Sequence, residues 1–160
     1  MFKILSTGVV LAGVVCTPAP ISRVQTARTT PPAPPDLRDD PRLPALRQFF
    51  AKAGCPALYY AGVFLEAADL YKLDWRLLPS ISYVESTGGK FAKNNNFFGW
   101  DSGKASFDTP VQAIHHVGYR LSHSARYRSK SVDTVLASYN PDADYAAKVK
   151  SVMRRIAPLE

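Results

Sequence analysis

Apolar residues recur every three to four positions in several stretches between residues 43 and 156, and this recurrence restricts the fold more than any other property of the chain. The spacing places apolar side chains on one face of an α-helix, whereas a half-buried strand would alternate apolar and polar residues. The sequence therefore predicts a mainly α domain. The repeating positions are Leu58, Ala61, Leu65 and Ala68; Ile114, Val117 and Leu121; Val132, Val135, Leu136 and Tyr139; and Tyr145, Val149, Val152 and Ile156.

Polar residues and prolines mark where helices should begin. A side-chain oxygen just before a helix accepts a hydrogen bond from a free backbone N–H, and proline is favoured at the first helical position. Thr109 followed by Pro110 fits both preferences. A further apolar segment at residues 75–85 is interrupted by Pro79, which predicts a kink or a restart of the helix. The predicted caps are Asp74, Thr109 and Ser131.

The helical spacing stops between residues 94 and 109. Short runs with aromatic residues, at 97–100 and 105–107, flank the sequence Asp-Ser-Gly-Lys at 101–104. Such runs on either side of a turn are typical of a hairpin. The predicted architecture is therefore mainly α with one short β-hairpin.

The N-terminal residues have the composition of an export signal. Lys3 precedes an uncharged apolar run at residues 4–15, whereas a spanning helix needs about 20 apolar residues. This pattern predicts a signal peptide at residues 1–25 that is removed on export. The alternatives are a retained membrane anchor and a lipid attached to Cys16 at the end of the apolar run.

Residues 26–44 are rich in proline and contain few large apolar residues, so they are predicted to form an extended linker. The domain should then occupy residues 45–157. With the signal peptide removed, Cys55 has no partner for a disulfide within the chain. The domain is therefore expected to depend on apolar packing.

The formal net charge of +7 implies an anionic partner. Nucleic acid, acidic lipid and a cell wall bearing carboxylates all fit this charge. The export signal argues against nucleic acid and favours the cell wall. The expected location is therefore secreted, or periplasmic within the cell envelope, with transient membrane association through the leader.

Glu85 combines features that suit a catalytic acid. It ends an apolar helical segment, and Ser86, Thr87, Gly88 and Gly89 follow, which should stop the helix and leave open space around the carboxyl group. Partial burial raises the pKa of a carboxyl group, as protonation of a glycosidic oxygen near neutral pH requires. The alternative is a surface Glu near a helix end.

The segment after Glu85 carries both kinds of surface that a sugar needs. Asn95 and Asn96 offer amide donors and acceptors, while Phe98 and Trp100 offer flat apolar faces. The competing interpretation places Phe97 or Phe98 in the core and the Asn residues in a turn. Trp100 is the expected sugar platform.

Two ordered segments resemble a known family. Residues 74–86 read Asp-Trp-Arg-Leu-Leu-Pro-Ser-Ile-Ser-Tyr-Val-Glu-Ser, and residues 95–100 read Asn-Asn-Phe-Phe-Gly-Trp. Together they resemble the glucosaminidase domain family of endo-β-N-acetylglucosaminidases, which belongs to the lysozyme-like superfamily and is related to lytic transglycosylases. Residues 139–149 are similar to the Tyr-containing C-terminal part of that family. The resemblance covers residues 46–156.

The resemblance implies a small lysozyme-like helical domain with Glu85 as its catalytic acid. It also implies that Tyr139 lies near that acid and binds substrate or steadies the carboxyl group, although core packing is its alternative role. The candidate substrate-binding residues are Ser86, Asn95, Asn96, Phe98 and Trp100.

A second catalytic group is harder to identify. Retaining glycosidases place two carboxyl groups about 5 Å apart, and inverting ones place them roughly 6.5 to 9.5 Å apart. Asp101 is the first candidate and Asp108 the second, although both also suit turn or capping positions. Chemistry assisted by the substrate's N-acetyl group, or transglycosylation by the sugar's own hydroxyl, needs no second carboxylate.

The histidines do not have the spacing of a metal site, so no metal is expected. No cofactor is expected either. The chain is expected to be a monomer. A basic cluster lies between residues 120 and 130, where it either faces wall carboxylates or covers a solvated helix end. The histidines are His115, His116 and His123, and the cluster is Arg120, Arg126, Arg128 and Lys130.

The expected function is cleavage of β-1,4 bonds in peptidoglycan glycan strands by a glycosidase of N-acetylglucosaminidase type. A lytic transglycosylase or muramidase would use the same acid on the same polymer. A noncatalytic module that binds the wall is the alternative from another functional class.

Overall fold

The computed structural model describes residues 37–158, and in that range it contains six α-helices and one short 3-10 helix. The prediction of a mainly α domain is confirmed. The helices are α1 (Arg42–Ala53), α2 (Ala61–Tyr71), α3 (Leu77–Ser86), α4 (Pro110–His123), α5 (Val132–Tyr139) and α6 (Tyr145–Ile156), and the 3-10 helix is Pro56–Tyr60.

Two of the predicted caps are confirmed. Thr109 Oγ1 accepts a hydrogen bond from the backbone N–H of Gln112 at 3.1 Å, and Ser131 Oγ accepts one from the N–H of Thr134 at 3.3 Å. Each bond satisfies a backbone donor that has no partner within its own helix. These caps therefore set where α4 and α5 begin.

Helix α3 begins at Leu77, two residues later than residue 75, where the sequence predicted it. Asp74 Oδ1 accepts from the N–H of Arg76 at 2.9 Å, which holds Trp75 and Arg76 in a turn before the helix. Pro79 therefore lies in the first turn, where a backbone N–H needs no partner, and the predicted interruption is absent.

Most residues of the predicted apolar faces form the core, and the half-buried members that pack against it are Leu58, Val84, Val132 and Tyr139. Helix α3 contacts α2, α4 and α6, and its Leu78 and Ile81 are completely buried. Helix α1 begins at Arg42, so the last residues of the predicted linker are helical, and Leu43 belongs to the core. Central packing of α3 fixes the helix that carries Glu85.

The predicted β-hairpin is wrong, because residues 94–109 contain no strand. Backbone with positive φ cannot continue an extended strand. The segment instead forms a loop whose two ends are joined by a backbone hydrogen bond from the N–H of Phe107 to the carbonyl of Asn94 at 3.0 Å. Positive φ occurs at Asn94, Asn95, Gly99, Asp101, Ser102 and Gly103.

The predicted signal peptide, with Cys16, lies outside the described residues. Residues 26–36 of the predicted linker lie outside them as well. Between residues 37 and 158, no helix has the length and apolar character needed to cross a bilayer. Cys55 is buried, and burial raises the pKa of its thiol.

Candidate active site

Glu85 lies in the last turn of α3, just before the chain reverses. Thr87, Gly88 and Gly89 all have positive φ, at 52°, 59° and 90°. A Cβ atom on Gly89 would lie 2.4 Å from the ring of Phe97, so this turn brings the following loop against the helix end. The reversal leaves the Glu85 side chain half-buried between the helix and the loop.

The two oxygens of the Glu85 carboxyl group have different neighbours. The phenol of Tyr145 donates a hydrogen bond to Oε1 at 2.7 Å. Oε2 lies against Gly99, where a Cβ atom would come within 2.6 Å of it. Burial raises the pKa of Glu85, and the Tyr145 hydrogen bond opposes that rise. The result is a carboxyl group that stays protonated at a higher pH than an ordinary Glu.

A pair of stacked tyrosines supports this carboxyl group. The rings of Tyr139 and Tyr145 are nearly parallel, at 7°, with centroids 5.9 Å apart. The Tyr139 hydroxyl donates to the carbonyl of Phe98 at 2.6 Å rather than to Glu85. Burial and the nearby charge of Glu85 raise the pKa of both phenols, so they remain hydrogen-bond donors. Tyr139 therefore connects α5 to the loop and positions Tyr145.

Two of the candidate substrate-binding residues are buried and hold the loop in place. Ser86 Oγ donates to the carbonyl of Phe97 at 2.7 Å and accepts from the N–H of Gly89 at 3.0 Å. Asn96 donates to the carbonyl of Trp100 at 3.0 Å and accepts from its N–H at 2.9 Å. Their polar atoms are thus directed at backbone, which leaves the Trp100 ring as the group presented outward.

Asn95 and Phe98 also contact other parts of the fold: Asn95 bonds backbone carbonyls, and Phe98 packs in the core. Asn95 Nδ2 donates to the carbonyls of Phe107 and Asp108, at 2.9 and 3.1 Å, and so closes the loop. Phe98 is completely buried, with its ring 6.3 Å from that of Phe64. Phe98 therefore lies in the core, as the competing interpretation of the sequence had it.

An open groove of about 840 Å³ adjoins the loop. The half-buried Trp100 packs between Tyr139, at 5.8 Å, and His116, at 5.7 Å between ring centroids. Gly99 lines the groove and lies against the Glu85 carboxyl group, which is behind Gly99 and is not itself one of the residues that line the groove. Other residues that line the groove include Asp101, His116, Arg120, Arg126 and Tyr139.

The two candidate second carboxylates are both exposed. Asp101 lines the groove and lies in a turn with φ of 54°. Asp108 precedes α4, and its backbone N–H donates to Gln112 Oε1 at 2.7 Å. Asp101 is therefore the carboxylate that the structure brings to the same groove as Trp100. Between residues 37 and 158, no three His, Cys, Asp or Glu side chains are grouped as a metal site would require.

Sequence reasoning did not assign site roles to Tyr145 and Gly99. Tyr145 begins the apolar face of α6, where its spacing is that of an ordinary core residue, so only its hydroxyl group could have signalled a polar partner. Gly99 stands between Phe98 and Trp100, and a glycine among bulky aromatic residues is the sequence signal that could have indicated a close backbone approach.

Comparison with models of protein families, with curated proteins and with solved structures gives no match.

Proposed function

We propose that this chain is an exported glycosidase with a lysozyme-like domain that cleaves β-1,4 bonds of peptidoglycan glycan strands, as an N-acetylglucosaminidase does, with Glu85 as general acid. The observation that carries the proposal is the half-buried Glu85 carboxyl group, whose pKa is raised and which contacts the groove-lining Gly99. A general acid must hold its proton near the working pH and reach the oxygen of the leaving sugar.

The two oxygens of the Glu85 carboxyl group have different roles, because their contacts differ. Oε1 accepts the Tyr145 hydrogen bond, so Oε2 is the oxygen that carries the proton beside Gly99. Transfer of this proton to the glycosidic oxygen breaks the bond from that oxygen to the sugar's C1 and leaves Glu85 negative. The phenol of Tyr145 stabilises the carboxylate that results, because it already donates to it.

The cation that forms at C1 must then be captured. In hydrolysis, water adds to C1 and gives up a proton, and Asp101 is the carboxylate in the groove that could accept it. Capture by the substrate's N-acetyl group or by the sugar's own hydroxyl, as in a lytic transglycosylase, is the second candidate. The observation in its favour is that Asp101 is exposed, whereas these routes need no second carboxylate.

Product analysis tests the proposal. Purified peptidoglycan is digested with the chain, and the new sugar ends are identified by mass spectrometry. Reducing N-acetylglucosamine is expected, whereas reducing N-acetylmuramic acid would indicate a muramidase and a 1,6-anhydro end would indicate a transglycosylase. Strands that bind without any new end would indicate the noncatalytic module.

The matched variants are Glu85→Gln and Glu66→Gln. An amide at position 85 has nearly the same size but cannot donate a proton to the leaving oxygen, so turnover should fall by about 10² to 10⁴-fold. Glu66, on α2, provides the same chemical change elsewhere in the fold. If Glu85→Gln retains most of the activity, Glu85 is not the acid.

A further inference from the structure

Two arginines, Arg120 and Arg126, line the groove without a carboxylate partner among the described residues. Arg120 lies in the last turn of α4 and Arg126 in the segment after it. Neither forms an ion pair within residues 37–158, whereas Arg42 and Arg76 each pair with an Asp at 2.6 to 2.7 Å. Two positively charged side chains therefore line the groove, and neither is in an ion pair with another described residue.

Arg126 is held in place by contacts that leave its charge unpaired. Its guanidinium donates a hydrogen bond to the carbonyl of Ser138, the residue before Tyr139. The same group lies 5.5 Å from the centre of the Tyr127 ring, which also lines the groove. A side chain fixed in this way loses less conformational freedom when it binds a ligand.

The charge of Arg120 acts on the residue beside the sugar platform. His116 lies one helical turn before Arg120, and its ring packs against Trp100 at 5.7 Å. Burial and then the charge of Arg120 lower the pKa of His116. Arg120 and Trp100 are thus both next to His116, and all three residues line the same groove.

We propose that Arg120 and Arg126 form a carboxylate subsite, so that the strand bound in the groove is recognised by an anionic substituent next to a sugar ring stacked on Trp100. Planar guanidinium groups match a carboxylate with paired hydrogen bonds. On a peptidoglycan strand that carboxylate belongs either to the lactyl group of N-acetylmuramic acid or to the stem peptide. The inference rests on the proposed function for the sugar strand, but binding rather than turnover measures it.

Three hexasaccharide probes separate these sources, with the full chain carrying Glu85→Gln so that no probe is cut. The neutral probe is the N-acetylglucosamine hexamer. The second alternates N-acetylglucosamine with N-acetylmuramic acid bearing free lactyl carboxylates, and the third carries stem peptides on the same sugars. Dissociation constants are measured by titration calorimetry, and the result is the affinity of each anionic probe relative to the neutral one.

We expect tighter binding of the second or the third probe than of the neutral probe, and the preferred one identifies the carboxylate. Arg120→Gln and Arg126→Gln should each lower that preference by about threefold, and the double variant by about tenfold, because both groups are exposed and partly screened. Raising the salt to about 0.5 M should weaken the preference in the same direction.

Arg128→Gln is the control, since Arg128 belongs to the same basic segment but does not line the groove. It should change the preference by less than about twofold. Equal affinity for all three probes, no binding of any, or an equal loss in Arg128→Gln would overturn the subsite. A loss of turnover in Glu85→Gln with no change of preference in the Arg variants would refute this inference and leave the glycosidase proposal standing.

Discussion

At the scale of single residues, the Glu85 carboxyl group is under two opposing influences. Burial favours its protonated form, and the hydrogen bond from Tyr145 favours its ionised form. A general acid benefits from both, because it must hold a proton before the reaction and release it during the reaction. The balance between them should set the upper pH limit of activity.

Tyr145→Phe is expected to shift that limit upward. Without the phenol donor the carboxylate is less stable, so the pKa of Glu85 rises further and the acid stays protonated to a higher pH. The high-pH limb of kcat/KM should therefore move to higher pH, while the maximum falls by about 10-fold because a hydrogen bond to a charged group is lost. Tyr83→Phe, on the same helix as Glu85, is the control, and an unmoved limb in Tyr145→Phe would refute the assignment.

Trp100→Ala is expected to weaken substrate use more than it weakens folding. The ring is half-buried and stacking is worth about 0.5 to 1.5 kcal/mol, so kcat/KM should fall by roughly 2- to 10-fold. The chain's other Trp, Trp75, is half-buried away from the groove, and Trp75→Ala should lower the melting temperature without this loss of activity. If Trp100→Ala unfolds the domain at room temperature, the residue belongs to the core.

At the scale of secondary-structure elements, five of the six helices could be predicted, whereas α1 and the loop were not. Apolar spacing and the caps at Thr109 and Ser131 are local signals, and both were sufficient. The loop at residues 94–109 depends instead on Asn96, whose amide bonds both backbone groups of Trp100, and on positive φ at several residues. The hairpin prediction rested on short aromatic runs on either side of a turn, and such runs carry no information about these bonds.

In the candidate site, too, features set by neighbouring residues could be predicted, and features set by contacts distant in sequence could not. Glu85 could be found because its position at the end of an apolar helix is a property of neighbouring residues. Its partner Tyr145 lies 60 residues further along the chain, and only the packing of α3 against α6 brings the two together. Asn95, Asn96 and Phe98 lie in the loop, but the sequence could not distinguish side chains that face the backbone or the core from one that faces the groove.

Gly99→Ala tests the contact between the loop and α3. Gly99 has φ of +58° and a Cβ atom there would lie 2.6 Å from Glu85 Oε2, so alanine should push the carboxyl group away and lower turnover by at least about 10-fold. Gly54 has a nearly identical φ of +59° but has nothing within 4 Å of the added atom. Gly54→Ala thus isolates the backbone cost, about 1 to 2 kcal/mol of stability, with activity retained. Equal activity in the two variants would mean that Gly99 does not position the acid.

At the scale of the whole molecule, carboxyl groups with opposite pKa shifts make stability depend on pH in two ways. Hydrogen bonds from Arg42 lower the pKa of Asp40, and those from Arg76 outweigh burial to lower the pKa of Asp74. These two groups stabilise the fold above their unfolded pKa values, and this stability is lost as the pH falls through their folded values. Glu85 acts in the opposite sense.

The folded pKa of Glu85 is raised above its unfolded value of 4.5, so between the two values the folded chain holds more protons than the unfolded chain. Stability must then fall as the pH rises through that window, because ionising the half-buried carboxyl group has a cost only in the folded state. Glu85→Gln cannot ionise, so the melting temperature of the variant should rise relative to that of the natural chain as the pH increases from 4.5 through the folded pKa of Glu85.

Thermal melts at several pH values measure this gain, which should amount to about 2 to 4 °C for each kcal/mol of stability. The losses due to Asp40 and Asp74 are common to both proteins and cancel in the difference. Glu66→Gln makes the same chemical change on α2 and controls for the substitution itself. A constant difference in Glu85→Gln would mean that burial does not raise the pKa of Glu85. The proposed acid would then lack the proton that its reaction requires near neutral pH.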